Sequence, residues 1–291
     1  MKSSTPTAPD AGPVVRYGPD PLLRRPGALL REMATDLLRS RELAWRLFVR
    51  DVSARYRQSI LGYVWAFLPP IAATATFVFL RSTGVFSMGE TAIPYAAFAL
   101  IGMVLWQTFV DAMQYPLRSL TAAKPMLTKI NFPREAILLA ALGEVLFNFI
   151  IRLVLLVAVF LWFQISPPAT AWLFPFGVVA IIALGYMIGI LLAPLGMLYQ
   201  DVGQGLTLLT TFWLFVTPVL YPAPQAGLAT VLNHWNPVSP LVTTSRDWLT
   251  TGPSEHLGGF LGVFGVTVVL LLAGWTLYRL ALPHLIARMG G

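Results

Sequence analysis

The sequence predicts an all-α integral membrane protein with six transmembrane helices, an amphipathic helix before them and short helices on its outer face. Three observations carry that expectation. Hydrophobic residues make up 56% of the 291 positions and charged ones only 11%, against about a quarter charged in a soluble domain. Apolar windows of about twenty residues, the length that crosses a bilayer as helix, recur along the chain. The Lys and Arg residues gather on one side of those windows, as membrane topology requires.

Up to about Pro26 the chain is rich in Pro, Ser, Thr and Gly and has no apolar run long enough for a signal-peptide core. Residues 1–38 are therefore expected to be a cytoplasmic N-terminal tail. Residues 39–60 follow as a basic amphipathic helix. At about 100° per residue, Arg39, Arg46, Arg50 and Arg57 share one side, while Trp45, Phe48, Val49, Val52 and Tyr56 share the other. Such a helix lies on a membrane, its apolar stripe among acyl chains and its arginines facing headgroups or a soluble partner. The membrane domain, residues 61–282, offers spans at Leu61 to Leu80, Ile93 to Met113, Ile137 to Phe163, Trp172 to Leu198, Leu206 to Tyr221 and Phe260 to Leu282. Residues 283–291 form a short C-terminal tail.

Eleven basic residues lie at or before Arg57, and Arg118, Lys124, Lys129 and Arg134 cluster in one loop. Placing both groups inside, with Arg279 and Arg288 at the C-terminus, leaves only Arg81 and Arg246 outside and Arg152 within a span. Both termini are then cytoplasmic and the span number is even. The fifth span is short and ends at Thr217-Pro218. Beyond it, Pro222 to His256 mixes Trp235, Pro237, Pro240 and Trp248 with polar residues, a composition for short interfacial or re-entrant helices, an ordinary external loop being the alternative. No internal repeat interrupts this single membrane domain.

Several chemistries are missing from the sequence. It contains no Cys, no Gly-Lys pair of a phosphate-binding loop and no Gly-x-Ser-x-Gly elbow, and His234, His256 and His284 are too dispersed for an i,i+4 metal pair. No catalytic residue, metal or nucleic-acid partner is expected, because the net charge of +7 follows topology. What remains is polar chemistry inside the spans. Glu144, Asn148 and Arg152 lie on one side of the third span, either lining a pathway or contacting another subunit, or forming a structural set. Trp65, Phe67, Trp106, Trp213 and Tyr221 belong to a dense set of aromatics that suits a sugar path or, equally, packing against lipid. Pro69 and Pro70, inside the first span, predict a bend. In the basic loop, a short helix from Pro125 to Ile130 carries Lys124, Lys129 and Arg134 as charges and Met126, Leu127 and Phe132 as apolar contacts. It either docks into a groove on a cytosolic partner or serves only to orient the chain.

Four patches together resemble one known family: LFVRDVSARYRQSILGYVWAFLPP ending at Pro70, NFPRE from Asn131 to Glu135, TPVLYP from Thr217 to Pro222, and NPVSPLV followed by Arg246 and Asp247. From about Leu43 to Leu282 the chain looks like the permease subunit of ABC-2 transporters that export O-antigen, teichoic acid or capsular polysaccharide. The resemblance implies a bacterial inner-membrane exporter of two such permeases and two separate ABC ATPase subunits. Its cargo would be a polyprenyl-diphosphate-linked glycan, and no cofactor would be held by this chain, ATP and Mg being bound by the ATPase. By the same resemblance the basic amphipathic helix is the interface helix, and Lys124 to Glu135 supply the cytoplasmic coupling helix. The Pro222 to His256 segment is a gate-like hairpin. Many relatives carry Arg-Asp before the fifth span; this chain has Gln200-Asp201, one basic residue fewer. Arg46, Arg50, Arg55 and Arg57 would receive the diphosphate by charge-assisted hydrogen bonds or anchor the helix to headgroups. Export of a lipid or drug remains an alternative. So does a polyprenyl-dependent glycosyltransferase, although the outer-side acids Glu90, Asp247 and Glu255 are isolated in sequence.

Overall fold

The computed structural model describes residues 26–57, 62–84, 89–127, 129, 132–223 and 227–289. The expected tail up to residue 25, Leu61 at the start of the first expected span, Ile130 and Asn131 of the basic loop and residues 290–291 lie outside the described residues. So does the Tyr56 side chain. Among the described residues there are helices and no strands. They are α1 (Pro26–Arg57), α2 (Leu68–Ser82), α3 (Tyr95–Leu127), α4 (Glu135–Trp162), α5 (Phe174–Leu198), α6 (Asp201–Val216), α7 (Leu228–Trp235), α8 (Val238–Thr250) and α9 (Leu257–Met289), with 3₁₀ turns at Gly62–Ala66 and Ala169–Leu173.

Helix α1 starts well before Arg39, at Pro26, a residue whose fixed φ suits a first helical position. Its apolar stripe is divided. Ser40, Ala44 and Leu47 are buried at helical spacing, and Phe48 covers Gly143 of α4, where an added Cβ would lie 3.0 Å from the ring. Trp45 and Val49 point outward from the same helix. At the other end of the chain, α9 continues through the expected tail to Met289.

Among the described residues, four segments are long and apolar enough to cross a membrane: Tyr95–Leu127, Glu135–Trp162, Ala169–Leu198 and Leu257–Leu282. The two remaining expected spans form shorter helices. Helix α2 has 15 residues and α6 has 16, about 22–24 Å at 1.5 Å per residue, against a hydrocarbon core of about 30 Å. Pro69 and Pro70 explain the first case, because they occupy the opening turn of α2. There a missing N–H costs nothing, so they start the helix and do not bend it. Pro218 explains the second. The residue before a proline is pushed to extended backbone, and Thr217 closes α6 with ψ 135°.

Helix α3 is the axis of the fold, with α5, α4, α2 and α6 packed around it. In its most apolar stretch 78% of residues are buried, against 17% in α9, whose exposed Val266, Val269 and Leu272 face outward. Close approach of α3 and α5 rests on glycine. A Cβ at Gly185 would meet the Phe109 carbonyl at 2.5 Å, and one at Gly189 the Met113 carbonyl at 2.5 Å. Small residues at such four-residue spacing let membrane helices pack backbone to backbone. Gly189 also faces Pro116, inside α3. That proline leaves the Ala112 carbonyl without its helical partner. Helix α3 nevertheless continues to Leu127, so Arg118 and Lys124 stand on the helix and not in a loop. The expected short helix from Pro125 is its final turn.

Candidate functional site

Three polar or aromatic assemblies sit at successive depths of the bundle. The first lies at the basic end, where α3 hands over to α4. Lys124 donates to the Met197 carbonyl at the end of α5, 3.4 Å away, a favourable place for a cation because helix C-termini carry partial negative charge. Leu127 is buried, Met126 and Phe132 pack against the core, and Lys129 is exposed. The Arg134 carbonyl lies 3.4 Å from the Tyr278 hydroxyl of α9. Glu135, buried in the first turn of α4, sits 3.9 Å from Arg279, which pairs with Asp36 of α1 at 2.6 Å. Arg279 and its neighbour Tyr278 thus tie α9 to Asp36 of α1, Glu135 of α4 and Arg134 just ahead of it.

Deeper in the bundle, Arg55 reaches from the last turn of α1 to Glu144 at 2.5 Å and donates to the Tyr115 hydroxyl. Asn148 donates to the same hydroxyl at 2.7 Å and approaches Asp111 at 3.4 Å. Arg152 pairs with Asp111 at 2.7 Å, and its Nε donates to the Ala66 carbonyl at 3.3 Å. Two cations and two carboxylates balance, so a charged set is held in an apolar bundle without net charge. Ala66 lies just ahead of α2, and Arg152 stands about 25 Å along α4 from Glu135 at 1.5 Å per residue. The start of α2 is therefore set deep, and a short helix suffices from there to Arg81, which stacks on Tyr95 at 4.6 Å.

At the opposite end, the two proline motifs of the sequence meet. The buried carbonyls of Pro218 and Val219 follow α6 and need donors. Arg246 of α8 supplies both, at 2.9 and 3.0 Å, with its guanidinium 3.7 Å above the Phe98 ring. Burial lowers its pKa to about 10 while Asp247 opposes the shift, leaving it protonated at neutral pH. The Leu220 carbonyl accepts from Tyr95 at 2.9 Å. Asn236 accepts from Trp213 at 3.0 Å and donates to Thr217 at 2.8 Å. Gly102 leaves room for all this, since a Cβ there would meet the Val219 carbonyl at 2.3 Å.

Of the residues singled out in the sequence, Glu144, Asn148, Arg152 and Arg55 come together. Arg46 and Arg50 make local pairs with Glu42 and Asp51, and Arg57 is exposed. Among the aromatics, Trp106 and Trp213 meet edge to face at 6.5 Å with Phe109 between them, and Trp106 is buried within this one chain. Tyr221 donates to the Phe215 carbonyl. Trp65 is exposed on the 3₁₀ turn beside half-buried Phe67. Sequence reasoning missed Asp111, Tyr115, Asp36 and Arg279. Asp111 carried a signal, a carboxylate inside an apolar window; the others carried none, because their partners are distant in sequence.

The architecture is that of a multi-pass membrane protein, and the sequence comparisons name its class. Residues 42–249 match the ABC-2 type transporter family, and the chain belongs to that family. Similar proteins include the O-antigen export system permease RfbA of Myxococcus xanthus, 26% identical over 85% of this chain and 95% of the relative. Its counterpart in Klebsiella pneumoniae is 24% identical over 79% and 88%. The polysialic acid transport protein KpsM of Escherichia coli is 26% identical over 80% and 91%.

Proposed function

We propose that this chain is the permease subunit of an ATP-driven exporter that moves a polyprenyl-diphosphate-linked polysaccharide of O-antigen or capsule type across the cytoplasmic membrane. Two copies work with two separate ABC ATPase subunits, which bind ATP and Mg. The supporting observation is the near-complete overlap with export permeases along both chains.

The fold suits a lever driven from outside. Helix α1, the start of α4 and the end of α9 form one ion-paired unit at the basic end, and α3 runs from beside it through the core to the Arg246 assembly. In this reading the basic end faces the cytosol, residues 127–135 take the ATPase push, and α7 and α8 cover the exit. Helices α2 and α6 count as spans although short. The first starts deep, and the second runs between the α5 terminus and the Arg246 assembly. That gives six spans with both termini inside.

Co-expression with the ATPase chain and purification in detergent tests the assignment. A two-to-two complex whose ATP turnover rises with lipid-linked glycan is expected; transport or glycan synthesis by the chain alone overturns it. Topology is tested separately, because a chain with no Cys accepts single reporter cysteines. Lys129→Cys should resist an impermeant maleimide in intact cells and Glu255→Cys should react.

A further inference from the structure

Helix α4 ends at Trp162 in a tight return. Gln164 takes φ 53°, and the Ile165 N–H reaches back to the Phe160 carbonyl at 3.0 Å, the bond that closes a Schellman turn and lays the returning apolar residue on the helix. The return, the start of α5 and the end of α8 enclose a groove of about 340 Å³ beside α4, lined by Leu156, Val157, Phe160, Ile165, Phe174 and Leu249 among others. Its lining side chains are all apolar, so it offers nothing to a sugar or to a polypeptide backbone.

Two facts fix what surrounds the groove. Val157 and Leu161 on its rim, and Val154 one turn away, are exposed on a membrane-spanning helix, so this side faces lipid. Trp162 and Trp172, the residues just above it, are also exposed, and exposed tryptophans of a membrane protein sit at headgroup level. The groove therefore lies immediately beneath the headgroups, at the depth of acyl chains.

We propose that this groove holds one acyl chain of a bilayer phospholipid, seated between α4 and the α4–α5 return. The chain packs on Leu156 and Phe174, with its headgroup at the level of Trp162. It stabilises the junction of α4, α5 and α8 by filling space that the side chains leave open.

Native mass spectrometry of the full-length chain, purified in mild detergent, counts retained phospholipid. One molecule per chain is expected for the wild type and for Val154→Trp, whose added ring lies outside the groove. Val157→Trp and Leu161→Trp, which fill it from the rim, are each expected to lose that molecule without a fall in melting temperature. Equal retention in the filled variants, or none in the wild type, overturns the proposal. So does polyprenyl phosphate as the retained species, or efficient cross-linking of Val157→Cys between two chains, which would make the groove a carrier site or a protein interface.

Discussion

At the residue scale, the consequential choice is which charges the bundle tolerates. Asp111 and Arg152 neutralise each other's charge at 2.7 Å. Removing one partner from such a buried pair costs about 3–5 kcal/mol, while replacing both with apolar residues of similar volume is close to neutral. Arg152→Met alone should therefore sharply lower the melting temperature in detergent, and adding Asp111→Leu should recover most of the loss. Arg246 differs, because it spans two carbonyls and stacks on Phe98. Lysine has one point charge and no planar fork. Arg246→Lys should keep the charge yet destabilise the 217–222 segment, read as faster proteolysis there. Sequence alone could place Arg246 in a motif but could not name its partners, which are backbone atoms more than twenty positions away.

At the element scale, α3 and α5 meet through absent side chains. Gly189→Leu would drive a side chain into the Met113 carbonyl and Pro116, and overpacking of this kind costs about 1–3 kcal/mol or more. Reduced yield and a lower melting temperature are expected, whereas Gly205→Leu, at a position open to space, should be neutral. The ion-paired unit of α1, α4 and α9 yields to charge exchange. Arg279→Asp should weaken it, and the double variant Arg279→Asp with Asp36→Arg should recover only part of the melting temperature, because the exchanged pair regains its attraction while the new carboxylate still faces Glu135. Apolar windows in the sequence made α4, α5 and α9 legible, because a membrane-spanning helix, whether it faces lipid or the bundle core, must be continuously apolar. Helix α2 was less so: the window included the 3₁₀ turn and the two prolines. Helix α3 misled in the other direction, since charges at Arg118 and Lys124 look like a loop until the helix is seen to run past them.

At the scale of the whole molecule, three assemblies along one axis connect the basic end to the Arg246 end. Each joins segments the sequence keeps far apart, and α3 contributes to all three. Motion of α1 should therefore be felt at the Arg55 cluster before it reaches Arg246. Under the proposed exporter function, Arg55→Ala, which frees the end of α1 from Glu144 and Tyr115, should uncouple ATP turnover from export in the reconstituted complex while leaving the complex assembled. Equal loss of both would assign Arg55 to assembly instead.

What the sequence determined by itself was the solvent: a chain so apolar has to fold in a bilayer, and the order of its proline-rich motifs marks its family. Tertiary structure decided which polar groups answer which. Hydrophobicity is a local sum that any window records, whereas a buried charge or carbonyl is satisfied only by a group brought near in space, and no local pattern encodes that distance.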